Sequence, residues 1–193
     1  MKKIFFFYFL CSIFYTDLRS EIEQITIRWT AQLCNGNCSK LLEKELRKVR
    51  GIDEIAIDQG SGQATLTWSK KIPFQYTSLN TAMHMVGLSM RDIRIKVSGS
   101  IKHSGDNFYI VSDGDNTRFD LVNPVTPRPY GQANEFNAYA RKLSPALKKE
   151  LLDGETQKLK ATIEGPVFMP ERMTVPTQIV VDKLNFIKPA GSA

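Results

Sequence analysis

Histidine, cysteine and long apolar runs are all scarce in this chain, and each scarcity excludes something. Two histidines and three cysteines among 193 residues leave few ligands for a catalytic metal and few partners for a nucleophile. There is no Gly-x-Ser-x-Gly turn and no glycine-rich phosphate loop, and neither histidine has a plausible acid–base partner. The chain therefore reads as a non-enzyme. Blocks of like charge are absent too. The net charge of +6 comes from basic and acidic residues mixed along the sequence, which is not the pattern of a nucleic-acid tail. The KELRKVR run, Lys44 to Arg50, lies in a helical pattern and reads as a solvated face. A composition 42% hydrophobic and 24% charged is that of an ordinary globular protein and excludes wholesale disorder.

Only the start is strongly apolar. Met1-Lys2-Lys3 is followed by twelve almost unbroken apolar residues, Ile4 to Tyr15. A spanning helix needs about 20, so the run fits the hydrophobic region of a secretory signal. Cleavage is expected near Leu18-Arg19-Ser20, with an uncleaved anchor as the alternative. Lipidation at Cys11 is disfavoured because Tyr8-Phe9-Leu10 lacks the small residue expected beside it. Removal of residues 1–20 lowers the net charge from +6 to +4 and leaves only Cys34 and Cys38. The mature chain is expected in the periplasm or secreted, with no transmembrane span. In such a compartment two close thiols form either a disulfide or a metal site.

Periodicity gives an α+β reading. Gln24 to Trp29 alternates as a strand. Leu41, Leu42, Leu46 and Val49 form the apolar side of a helix running from Cys38 to Gly51. Ile52, Ile55 and Ile57 mark a second strand, Gly60-Ser61-Gly62 a turn, and Ala64 to Trp68 a third strand. A second helix is expected from Tyr76 to Val86, ending at Gly87, and a fourth strand from Leu88 through Val97. The order βαββαβ is the ferredoxin-like plan, over residues 21–97. Behind it, short strands are expected at Ile101 to His103, Phe108 to Ser112 and Arg118 to Val122, then a proline-rich loop, Asn123 to Tyr130. Helices follow at Glu135 to Leu143 and Pro145 to Leu152, with Ser144 as N-cap. Strands at Lys158 to Gly165 and Gln178 to Phe186 complete the pattern. Three strands, a helix and two strands is the order of the OB-fold, a small β-barrel, over residues 98–188. Residues 189–193 form a tail expected to be disordered.

Cys34-Asn35-Gly36-Asn37-Cys38 is the leading chemical motif. At a helix N-terminus the backbone N–H groups and dipole favour thiolates. Two thiolates are too few for zinc but suit Cu(I) or a similar soft ion. Met83-His84-Met85 does not converge on one ion, because neighbours in a helix point apart. Both methionines are expected as core fillers and His84 at the surface. Met169 and Met173 read as ordinary packing, His103 as bland, and Asp113-Gly114-Asp115-Asn116 as a hairpin turn rather than a calcium loop. Phe108, Tyr109 and Phe119 are the aromatics available to an OB-type nucleic-acid surface, a role that export disfavours.

From Ile25 to Trp68 and on to Leu88, the chain resembles the heavy-metal-associated domains, whose usual motif is Met-x-Cys-x-x-Cys at this loop–helix junction. Cys38 matches their second cysteine. Gly62-Gln63-Ala64-Thr65-Leu66-Thr67 is similar to their third strand, and Leu79 to Leu88 to their second helix. Here three residues separate the cysteines instead of two, and Leu33 precedes Cys34. The resemblance implies a soft-metal carrier, copper in the first instance, held by Cys34 and Cys38, with the C-terminal domain contacting a protein partner. The alternative is an exported interaction or scaffold protein in which Cys34 and Cys38 form a structural disulfide and no metal binds. A thiol-redox role lacks its usual Cys-x-x-Cys.

Overall fold

The computed structural model describes residues 22–30, 36–123, 142–168 and 176–187. They form a mixed α+β protein: one nine-stranded sheet and three helices among the described residues. The signal segment, Ala31 to Asn35, the proline-rich loop beyond Asn123 and the tail lie outside them. So does the helix expected over Glu135 to Leu143, except Lys142 and Leu143, which are not helical.

Alternation dictates the first four strands. In β1 (Ile22–Arg28), Ile25 and Ile27 are fully buried while Gln24, Thr26 and Arg28 face the other way. β2 (Ile52–Asp58) and β3 (Gln63–Trp68) form the expected hairpin, and β3 buries Ala64, Leu66 and Trp68. The order is β2-β3-β1-β4, with every neighbour antiparallel. α1 (Cys38–Leu46) and α2 (Tyr76–Met85) bury Leu42, Leu46, Leu79, Ala82 and Met83 in the same core as the inward strand residues. The helix expected to reach Gly51 ends at Leu46. Gly51, at φ +100°, is needed where the chain bends beneath Trp68, since a Cβ there would lie 2.6 Å from the indole.

β4 (Asp92–Ser104) is a single 13-residue strand. The strand expected from Leu88 starts later because Leu88 caps α2, its N–H donating to the Met83 carbonyl at 3.0 Å. It also runs on through the next expected strand without a break. Its first half pairs with β1 and its second half with β5 (Asn107–Ser112), both on one edge. β7 (Lys160–Phe168) pairs along the opposite edge, from Arg94 to Ser100. The changeover from β1 to β5 falls at Ser98 and Gly99. A Cβ on Gly99 would sit 2.1 Å from the Val111 carbonyl oxygen, so only glycine admits β5 this closely.

β6 (Arg118–Val122) pairs with β5, and β8 (Gln178–Val180) joins β6 in parallel and β7 antiparallel. With β7 returning to β4, these pairings make a closed circuit of five strands. β9 (Lys183–Ile187) continues along β7. The single strand expected from Gln178 to Phe186 is divided at Val181 and Asp182, where the Asp182 N–H donates to the Glu164 carbonyl at 3.1 Å. α3 (Pro145–Thr156) begins at Ser144, whose hydroxyl accepts from the Leu147 N–H at 3.2 Å, and runs past the expected end at Leu152.

Along β4 the buried residues stay in phase: Ile93, Ile95, Val97 and Ile101 all point inward. The core beneath the two helices therefore continues without a gap into the five-strand circuit, and one buried cluster contains both Leu66 and Ile163.

Candidate functional site

Cys38 is the first residue of α1 and is half-buried. Asn37 precedes it at the N-cap, with no side-chain capping bond, and its carbonyl accepts from the Leu41 N–H at 3.1 Å. Cys38 is disulfide-bonded, so its sulfur is not free as a thiolate ligand. Cys34 lies outside the described residues. Among those residues, no three or more histidine, cysteine, aspartate or glutamate side chains converge as a metal site.

The remaining candidates separate. Met83 is fully buried and His84 exposed, as expected, but Met85 is 70% exposed and fills no core gap; it sits on the outer side of the last turn of α2. Met169 and Met173 lie outside the described residues. His103 is not bland: its Nδ1 pairs with the Glu155 carboxyl group and its ring stacks on Phe108, with centroids 5.5 Å apart. That contact ties α3 to the β4–β5 hairpin. Of the three aromatics considered for a stacking surface, Phe108 and Phe119 are buried, and Arg118 lies over the Tyr109 ring at 4.0 Å. The Asp113–Asn116 stretch is the β5–β6 turn, and its buried Asp115 accepts from Ser112, Thr117 and the Phe74 N–H. In KELRKVR, Arg47 and Lys48 are exposed and pair with Glu43 and Glu45 one turn back.

Sequence reasoning missed a polar groove on the sheet face away from α1 and α2. It has a volume of about 290 Å³ and is lined by Gln24, Thr26, Arg28, Gln63, Arg94, Lys96 and Glu164, with part of Ile95. These come from β1, β3, β4 and β7. Register explains the grouping: Gln24 lies opposite Lys96 and Thr26 opposite Arg94, while Lys96 faces Glu164 on its other side. The Arg94 guanidinium donates to Asp182 at 2.5 Å, Lys96 pairs with Glu23, and Lys183 pairs with Glu164 at 3.0 Å. Arg28 differs. Its Nε donates to the neutral Gln63 side chain at 3.1 Å, and among the described residues it makes no ion pair, although Asp92 is directly across on β4. Polar residues at alternate positions of QITIR and DIRIK signalled exposure in the sequence, but not which strands would lie side by side.

No helix among the described residues is long and apolar enough to cross a membrane. No family model, curated protein or solved structure matches the chain.

Proposed function

We propose that this chain is a non-enzymatic, extracytoplasmic interaction protein with Cys34 and Cys38 joined as a structural staple. The single observation that carries the reading is the disulfide at Cys38. Disulfides persist where the surroundings are oxidising, which agrees with the signal-like segment at residues 1–20. Cys11 falls within that segment, so Cys34 is the partner left in a processed chain. A staple there ties the end of β1 to the start of α1, where Asn37 offers no side-chain cap. The order β2-β3-β1-β4 with two helices on one face supports a ferredoxin-like first half. The circuit β4-β5-β6-β8-β7 with α3 between β6 and β7 supports an OB-like second half. Mass spectrometry of the protein isolated without reductant tests the staple. A mass about two units below the dithiol is expected, since each disulfide forms with loss of two hydrogens; the full dithiol mass would refute it.

A second reading rests on where Cys38 sits. The first position of a helix favours a thiolate once the disulfide is reduced, and a Cys34–Cys38 thiolate pair would carry Cu(I) or a similar soft ion. The test is anaerobic Cu(I) titration of the reduced protein against a competing chelator. One ion per chain, lost in Cys38→Ser, would put the carrier reading first, and failure to compete would leave the staple alone.

A further inference from the structure

The groove on the face away from α1 and α2 has a repeat built into it. Arg28 lies level with Asp92, and Arg94 and Lys96 follow at alternate positions of β4. Three cations therefore stand at successive two-residue steps along the strand direction, about 6.7 Å apart per step. An extended polypeptide presents every second side chain on one side at that same interval. We propose that the groove binds an extended acidic segment of a partner protein, with carboxylates at alternate positions meeting Arg28, Arg94 and Lys96. This deepens the interaction-protein reading above and rests on it.

The lining selects against other anions. A small dianion reaches two of the three cations, because the outer pair is separated by two steps, about 13 Å. Among the described residues no aromatic side chain lines the groove, so they offer a single-stranded nucleic acid no stacking platform. Glu164, opposite Lys96 and closing the β7 side, opposes a polyanion charged at every position. Gln24, Thr26 and Gln63 supply amide and hydroxyl groups for the segment's own backbone. Of the three cations, Arg28 is the one that makes no ion pair among the described residues; its side chain donates to the neutral Gln63, and its planar fork suits a carboxylate.

The test uses the full oxidised chain and a fluorescently labelled peptide with glutamate and serine alternating. Anisotropy titrations compare it with a peptide of equal charge whose glutamates are contiguous, with single-stranded DNA and with anionic phospholipid vesicles. The alternating peptide is expected to bind tightest. Arg28→Gln and Arg94→Gln should each weaken it about tenfold, added salt should weaken it further, and Lys44→Gln on the outer side of α1 should leave it unchanged. Circular dichroism on each variant separates lost contact from lost fold. Equal binding of the contiguous peptide, tighter binding of DNA or vesicles, or an unchanged affinity in a folded Arg28→Gln variant would overturn the proposal. If the peptide fails while the disulfide mass is found, the groove is wrong and the interaction reading stands. If the isolated protein carries free thiols, the disulfide staple fails, while the peptide titration still decides the groove.

Discussion

The backbone N–H of Phe74 donates to Asp115 Oδ2 at 3.0 Å across 41 residues of sequence. Phe74 lies between β3 and α2, and Asp115 lies in the β5–β6 turn. The contact joins the helix-covered half of the sheet to the five-strand circuit. The Phe74 N–H also reaches the Thr117 hydroxyl at 2.9 Å, and Asp115 accepts from the Ser112 and Thr117 hydroxyls. A buried carboxyl group needs several donors to offset its lost hydration, and this turn supplies them.

Asp115→Ala strands those donors, so a loss of about 2–4 kcal/mol is expected. Because the contact spans both halves, tryptophan fluorescence and far-ultraviolet circular dichroism should fall together at a lower denaturant concentration. Two separated transitions in the wild-type protein would show that the halves fold independently.

Trp68, Phe74 and Phe119 continue the same connection in the core. Trp68 meets Phe74 edge-on at 5.4 Å between centroids, and Phe74 meets Phe119 at 5.6 Å. Phe119 is fully buried, and its truncation leaves a cavity that close-packed neighbours fill only in part. Phe119→Ala should lower stability by about 3–5 kcal/mol and weaken the near-ultraviolet dichroism of Trp68. Loss of less than about 1 kcal/mol would mean the cavity collapses freely.

Asp58 sets an acid limit on the β2–β3 hairpin. Its carboxyl is held below the ordinary value of 3.8, first by the Ser61 hydroxyl at 2.7 Å, then by the Ser61 N–H and the Gly60 N–H. A lowered folded value means that the contribution is complete above 3.8 and disappears as the pH falls through the folded value. The stability difference between wild type and Asp58→Asn should therefore shrink on acidification below about pH 4. A difference that stays constant to lower pH would remove Asp58 from the account.

The two methionines of α2 should separate under mild peroxide. Met85 is 70% exposed and Met83 fully buried, and thioether oxidation follows access. Peptide mapping should find sulfoxide at Met85 while Met83 and the circular dichroism remain unchanged. Sulfoxide at Met83 first would require local opening of α2.

Much of the element order was legible because period-two and period-3.6 patterns are local. Ile25 and Ile27 marked β1, Leu42 and Leu46 marked α1, and Ser144 with Pro145 marked the start of α3. Two misread boundaries lie where a distant residue decides: Gly51 ends a turn beneath Trp68, and Val181 with Asp182 bends to meet Glu164. The third is local, Leu88 being drawn into the α2 cap by Met83. The candidate site was half legible. Cys38 was placed correctly at the start of α1, but bonding of its sulfur depends on a contact that spacing alone left open. The cations of the groove were visible only as isolated polar residues.

Along the strands, sequence alone determined which residues face in and which face out, because side-chain direction in a strand alternates with the backbone; on the helices it did not, since Leu41 and Met85 are exposed. Only the tertiary structure decided neighbours. The in-phase run of Ile93, Ile95, Val97 and Ile101 made β4 one strand, Gly99 let β5 take over from β1 along its edge, and the resulting register set Arg28, Arg94 and Lys96 in step. Register is chosen by packing between segments far apart in the chain, and local patterns do not encode which segments meet.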